Sequence, residues 1–309
     1  MCGIVGLFLK DTSLEPKLGQ MLTDMLITMT DRGPDSAGIA IYGSDNPGKV
    51  KLTVQSDTPD RDFAGLDKDM QTALGGDVTM RVKDTHAVIE IDAAWAAAAR
   101  TVLADIRPDV RIMSTGEKLE IYKEVGLPKN VAARFDISSM TGSHGIGHTR
   151  MATESAVTTM GAHPFNTGRD QCLVHNGSLS NHASLRRKLR KAGMHIETEN
   201  DTEVGAAYLT WRMSQGATLG QALESSLDDL DGFFTFVVGT KDGFGVVRDP
   251  IACKPAVMAE TDQYVAFGSE YRALVNLPGI EHARVWEPEP STVYFWSHNA
   301  APTATEKAA

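Results

Sequence analysis

Four apolar segments, FFTFVVGT, FGVVRDP, PAVMAE and YVAFGSE, follow one another between Phe233 and Glu270 with only a few residues separating them. Strands at such short spacing are the pattern of an antiparallel sheet. Elsewhere the helices come in pairs and the strands in runs. Leu14, Leu18, Met21, Leu22, Met25, Leu26 and Met29 recur at spacings of three and four, one apolar face of a helix. That helix stops at DRGPDSAG, a Gly/Pro/Asp turn that leads into the strand GIAIYG, and KVKLTVQ reads as a further alternating strand. No regular βαβ alternation appears, so the class expected is α+β, with helices layered on antiparallel sheets.

Residues from about 57 to 140 have a different texture. A helix around Phe63 to Leu74, a strand in THAVIEID and an alanine-rich helix in AWAAAARTVLADI precede RIMSTGEKLEIYKEVGLP, which reads as a strand with a charged loop. A block with its own α and β elements is expected to be an inserted α/β subdomain. The remainder, residues 1–300, reads as one domain, and the tail from 301 to 309 is expected to fray.

With 42% hydrophobic and 23% charged residues, the 309-residue chain has the makeup of a globular protein. Its formal charge of -10 argues against nucleic acid or an anionic membrane as partner. No apolar run is long enough for a transmembrane helix, and the first ten residues lack a basic leader region. Cys2, Cys172 and Cys253 are few and far apart, which fits a reducing cytoplasm and neither a disulfide framework nor a zinc site. His144 and His148 are four apart, but GSHGIGHTR is too glycine-rich for a metal-binding helix.

MCGIVG places a thiol directly behind the initiating methionine. One reading is a small hydrophobe opening a buried strand. The other is an N-terminal nucleophile: with Met1 removed, the α-amine, titrating near 7.7–8.0, serves as base for the thiol of its own residue. Such a nucleophile needs an oxyanion hole and a means of holding substrate. HNGSLSN offers the Asn176 amide and the Gly177 N–H, although Asn-Gly also suits a tight turn between strand and helix. HTRMAT offers Arg150 for a carboxylate, and NDTE offers Asp201 for an ammonium; separately each also reads as a surface ion pair or a helix cap, with Asp201 or Thr202 as the N-cap.

Taken in order, MCGIVG, DRGPDSAG, GHTRMAT, AHPF, HNGSLSN, NDTEV, LDGFFTFVV, RDPIACKP and GSEYRAL resemble the class II glutamine amidotransferases of the N-terminal nucleophile (Ntn) hydrolase superfamily. The resemblance implies a four-layer αββα sandwich that cleaves a side-chain amide to a carboxylate and an amine. It implies Cys2 as nucleophile with its amine as base, and Asn176 and Gly177 as oxyanion hole. Arg150 would hold the substrate α-carboxylate and Asp201 with Gly177 the α-ammonium, with Thr153, His163 and Arg32 lining or closing the pocket. Met151 departs from the aromatic that some members carry at that position.

The inserted block, with LEIYKEVGLPKNVAARFDI before GHTR, resembles the stand-alone amidotransferase subunits related to glutamate synthase. That group includes GlxB-type proteins and the small subunit of N-methylglutamate synthase. It implies glutamine or γ-glutamylmethylamide as substrate, and ammonia or methylamine passed to flavin-dependent synthase subunits in a hetero-oligomer. FMN, with an iron–sulfur cluster as a further candidate, would reside in those partners and no cofactor in this chain. Two other readings stay open: a free-standing amide hydrolase, and a catalytically silent scaffold subunit of an oxidoreductase.

Overall fold

The computed structural model describes residues 2–152 and 156–298. Along the chain the strands are β1 (Gly3–Leu9), β2 (Ser36–Tyr42), β3 (Lys49–Gln55), β4 (Thr79–Lys83), β5 (His86–Asp92), β6 (Arg111–Gly116), β7 (Leu119–Val125) and β8 (His144–Arg150). They continue as β9 (Phe165–Gly168), β10 (Gln171–Leu179), β11 (Gly232–Thr240), β12 (Gly243–Arg248), β13 (Val257–Glu260), β14 (Tyr264–Gly268), β15 (Arg284–Trp286) and β16 (Thr292–Ser297). The helices are α1 (Leu18–Ile27), α2 (Pro59–Asp62), α3 (Leu66–Leu74), α4 (Ala96–Ile106), α5 (Pro128–Arg134), α6 (His182–Lys191), α7 (Asp201–Ser214) and α8 (Leu219–Asp229).

Among the described residues three sheets result, ordered β15-β13-β14-β1-β8-β2-β7, β16-β12-β11-β10-β9 and β4-β5-β3-β6. Neighbouring strands in the registers are antiparallel, as the short connections require. The four strands that crowd the last third divide between sheets: β11 and β12 join the five-stranded sheet, β13 and β14 the seven-stranded one.

Alternation along β1 shows how the layers form. Val5, Leu7 and Leu9 face α1, where Leu18, Leu22, Met25 and Leu26 supply the apolar stripe. Ile4 and Phe8 face the opposite way, against Val174, Val237, Phe244 and Val246 of the five-stranded sheet. Between them Gly6 leaves room for Phe244, whose ring would lie 2.8 Å from any Cβ there. Phe244 is fully buried, and removing a side chain of that size from water contributes about 2–3 kcal/mol. The outer face of the five-stranded sheet packs Leu173, Phe234 and Phe236 against α6, α7 and α8. The fold is thus an αββα sandwich of four layers.

The third sheet, with α3 and α4, has its own core of Leu52, Met70, Ile89, Ala99 and Leu103. Its limits differ from the expected block of 57–140. β3 belongs to it, whereas β7 is the edge of the seven-stranded sheet, in register with β2 from Ser36↔Val125 to Tyr42↔Leu119. RIMSTGEKLEIYKEV is therefore two strands in two sheets. The switch is made by Asp170, whose buried carboxylate accepts the backbone N–H groups of Glu117, Lys118 and Leu119 at 2.8–3.1 Å. The expected frayed tail lies outside the described residues. No helix among the described residues is long and apolar enough to cross a membrane.

Candidate active site

Cys2 precedes the central strand of the seven-stranded sheet and is half-buried. Gly3 N–H donates to Thr149 Oγ1 at 3.2 Å, and Thr149 donates to Met29 O at 3.1 Å, which ties the start of β1 to β8 and to the end of the α1 region. The Cys2 carbonyl accepts from Arg32 Nε at 2.9 Å and from Asn176 Nδ2 at 3.1 Å. Its Sγ lies 3.9 Å from Met151 O.

Around this thiol is a cavity of about 710 Å³, a size suited to a small organic ligand. Cys2, Arg32, Arg150, His163, Asn176, Gly177 and Asp201 all line it, so seven of the eight residues expected from the sequence meet in one place. The eighth, Thr153, lies outside the described residues.

Asn176 and Gly177 come from the second sheet. They do not form the turn that Asn-Gly suggests, but sit inside β10, paired with Thr235 and Phe234. Gly177 has φ +144°, and a Cβ there would stand 1.9 Å from Phe233 O and 2.8 Å from His175 Nε2. Only glycine fits that position without distortion. The Asn176 amide also donates to Ser269 Oγ at 3.3 Å, which in turn accepts Ile4 N–H at 2.9 Å.

Asp201 is the first residue of α7, not its cap: Asn200 is the N-cap and accepts Thr202 N–H at 2.9 Å. The reason is that Asp201 Oδ2 is already engaged with Leu179 N–H, also at 2.9 Å, which anchors the helix start to β10. Arg150, nearly buried, ends β8. Its carbonyl accepts Asp35 N–H at 3.1 Å, its Nη1 donates to Ala156 O at 3.3 Å, and the Asp35 carboxylate accepts Ala152 N–H at 2.8 Å.

Behind the cavity wall, Thr202 Oγ1 bridges His175 Nδ1 and His163 Nε2, each at 3.1 Å, and the His163 ring lies 4.0 Å from that of His148. Burial keeps all three imidazoles neutral: His148 is pushed down to about 3, and His163 and His175 fall below their ordinary value. His144 and His148, excluded as a helical metal pair, lie on the strand β8.

Several residues at the site were not singled out from the sequence. Lys254 lies in the cavity wall. Ser269 and Glu270 hold the Cys2 region, and Asp35 holds the Arg150 loop. Asp35, Ser269 and Glu270 fall inside the quoted motifs DRGPDSAG and GSEYRAL, but the partners that tie them to the site, Ala152, Ile4 and Arg32, lie 117, 265 and 238 residues away, so no local spacing points to them.

Residues 148–276 match the family model described as a glutamine amidotransferase domain. The chain is 73% identical over 301 residues to the glutamine amidotransferase-like protein GlxB of Rhizobium meliloti, covering 97% of this chain and all of that one. It is 34% identical over 304 residues to a putative glutamine amidotransferase of Methanothermobacter thermautotrophicus, covering 95% and 99% respectively. Among solved structures it resembles the glutamine phosphoribosylpyrophosphate amidotransferase of B. subtilis, with a TM-score of 0.62 and 20% identity. There the match covers 99% of this chain and 49% of that one, so this chain spans about half its length, and at that identity the likeness is one of fold.

Proposed function

Because this chain belongs to the class II glutamine amidotransferases, enzymes of the Ntn-hydrolase fold, we propose that it splits a γ-glutamyl amide through a Cys2 thioester and hands the amine to a partner synthase. The observation that carries the reading is the single cavity in which Cys2, Asn176, Gly177, Arg150 and Asp201 converge from four separate elements and their flanks.

In this reading Met1 has been removed and the Cys2 amine takes the proton of its own thiol. The thiolate attacks the γ-carbonyl carbon, and the oxygen that becomes anionic is held by Asn176 Nδ2 and Gly177 N–H. Such donors contribute several kcal/mol to the tetrahedral intermediate. To serve, the Asn176 amide turns one N–H from the Cys2 carbonyl or Ser269 toward that oxygen. Collapse expels the amine, protonated by the α-ammonium, and water then cleaves the thioester to free the γ-carboxylate. Arg150 fits the α-carboxylate as a planar fork, and Asp201 fits the α-ammonium. His163 and Arg32 line the pocket, Thr153 is assigned with them to substrate binding, and residues 1–300 act as one amidotransferase domain.

We further propose that the amide is glutamine or γ-glutamylmethylamide, and that FMN-bearing synthase subunits, with or without an iron–sulfur cluster, accept the amine in a hetero-oligomer. Met151 lines the cavity beside Cys2 and is 36% exposed, a flexible side chain where room for an N-methyl group is needed. The test is turnover of glutamine and of γ-glutamylmethylamide by the native complex, with Cys2→Ala alongside. Loss of hydrolysis in Cys2→Ala with the fold intact is expected; full activity in that variant overturns the mechanism. A Met151→Trp variant that leaves the ratio of the two turnovers unchanged removes the methylamide reading.

A further inference from the structure

Arg32 does more than line the cavity. It is 7% exposed, and its Nε donates to the carbonyl of Cys2 itself at 2.9 Å. The amine and carbonyl of one residue share a Cα, so this guanidinium stands on the order of 5 Å from the Cys2 nitrogen. On its far side Arg32 Nη1 meets Glu270 Oε1 at 2.6 Å, Glu270 Oε2 meets Arg272 Nε at 2.7 Å, and Arg272 Nη1 lies 3.4 Å from Asp31 Oδ2. The four side chains form a row of alternating charge, Arg32, Glu270, Arg272, Asp31, whose positive end touches Cys2. An arginine does not deprotonate, and the Arg32 hydrogen bond holds the Glu270 carboxyl below its ordinary value.

We propose that Arg32 is a positioning residue for the Cys2 amine, holding the Cys2 backbone in place while its charge favours the neutral, proton-accepting form of that amine. This rests on the proposed role of Cys2 and adds to it the device that keeps the base unprotonated below its ordinary range. A cation at this separation disfavours a second positive charge, and near-burial limits the screening that would weaken it. Glu270 opposes the effect from the far side of Arg32, so the two side chains pull the amine in opposite directions.

Other charged groups face the same space. Arg150 ends β8, Lys254 follows β12, Glu199 and Asp201 lie before and at the start of α7, and Asp35 sits under the Arg150 loop. His163 and His175 are neutral by burial, and His182 opens α6 at the cavity edge. All of these are common to the variants below, so differences between variants report the row.

The experiment is the pH dependence of kcat/KM for glutamine hydrolysis by the native complex, which reports the free enzyme's base. Arg32→Met is expected to move the acid limb up by on the order of half to one pH unit, a roughly 3- to 10-fold loss near pH 6 that shrinks above pH 8.5. Glu270→Gln is expected to move the limb down, and Arg32→Lys to stay near the parent. Limbs that do not move, or that move the same way in Arg32→Met and Glu270→Gln, overturn the proposal, because a merely structural role lowers activity without shifts of opposite sign. Should Arg32→Met not fold, Glu270→Gln decides: an unmoved or raised limb overturns it. Failure of the underlying reading shows differently, as an intact mass that retains Met1 or as full activity in Cys2→Ala.

Discussion

The Asp35 carboxylate accepts the backbone N–H of Ala152 at 2.8 Å, across 117 residues of sequence, while the Asp35 N–H donates to the carbonyl of Arg150. The turn after α1 thereby holds the two peptides that flank Met151, directly after Arg150, the residue proposed to bind the substrate carboxylate. Asp35→Ala removes a charge-assisted bond of about 1.5–3 kcal/mol, and the Arg150 loop loses its fixed path. The expected result is a KM for glutamine raised about tenfold or more, with kcat changed much less. Steady-state kinetics decide it, and a fall in kcat with KM unchanged contradicts the assigned role. Asp35→Asn, which keeps an acceptor, is expected to fall between the two.

Gly177 allows no side chain. A methyl there meets Phe233 O at 1.9 Å, and φ +144° is strained for any L-residue. Gly177→Ala is expected to cost about 3 kcal/mol of stability through β10–β11 distortion and to abolish hydrolysis with it. Thermal melting and activity are to be measured together. A variant that melts like the parent and still turns over glutamine shows that the strand has another way to accommodate the methyl.

Much of this fold is local and therefore legible in the sequence. The closely spaced apolar runs of β11, β12, β13 and β14 and the stripe of α1 are written in consecutive residues, and the structure follows them. What escaped was set by distant partners. Asn-Gly has the chemistry of a turn, yet pairing with Thr235 and Phe234 draws it into a strand. Asp201 and Thr202 are the N-cap candidates in the sequence, yet Asn200 takes that place, accepting Thr202 N–H while Asp201 is held by Leu179 N–H of β10. The chain leaves the third sheet after Gly116 because Asp170, more than fifty residues on, captures three backbone donors. The converging site residues were legible only as ordered motifs, since spacing alone left Cys2, Arg150 and Asp201 with ordinary structural readings.

Glu120 of β7 ties the third sheet to the sandwich. It accepts from Lys51 Nζ at 3.0 Å, from Arg81 Nη2 at 3.0 and 3.1 Å, and from Tyr122 OH at 2.6 Å. Burial by itself pushes the Glu120 carboxyl up, but Lys51 and Arg81 overcome it and hold the group below its ordinary value. Glu120→Gln leaves Lys51, only 8% exposed, without its counter-charge. A loss of about 3 kcal/mol in chemical denaturation is expected, with faster proteolytic nicking between residues 49 and 116. Unchanged stability means that Ser44 O, the other acceptor of Lys51, suffices.

Acid sensitivity follows from the buried histidines. Burial pushes His86, His144 and His148 down to about 3, while in the unfolded chain each titrates near 6.5. Between those values the unfolded state binds a proton that the native state refuses, so stability is complete above about pH 6.5 and declines as pH falls toward 3. Each depressed group accounts for up to about 1.4 kcal/mol per pH unit in that window, or about 2 kcal/mol between pH 7 and pH 5. His86, packed against Phe135 away from the cavity, isolates one such contribution. His86→Gln is expected to lessen the drop between pH 7 and pH 5 by about 2 kcal/mol, whatever it costs at pH 7. Urea denaturation at the two pH values measures it, and a drop equal to the parent's rules out proton uptake at His86 as part of acid unfolding.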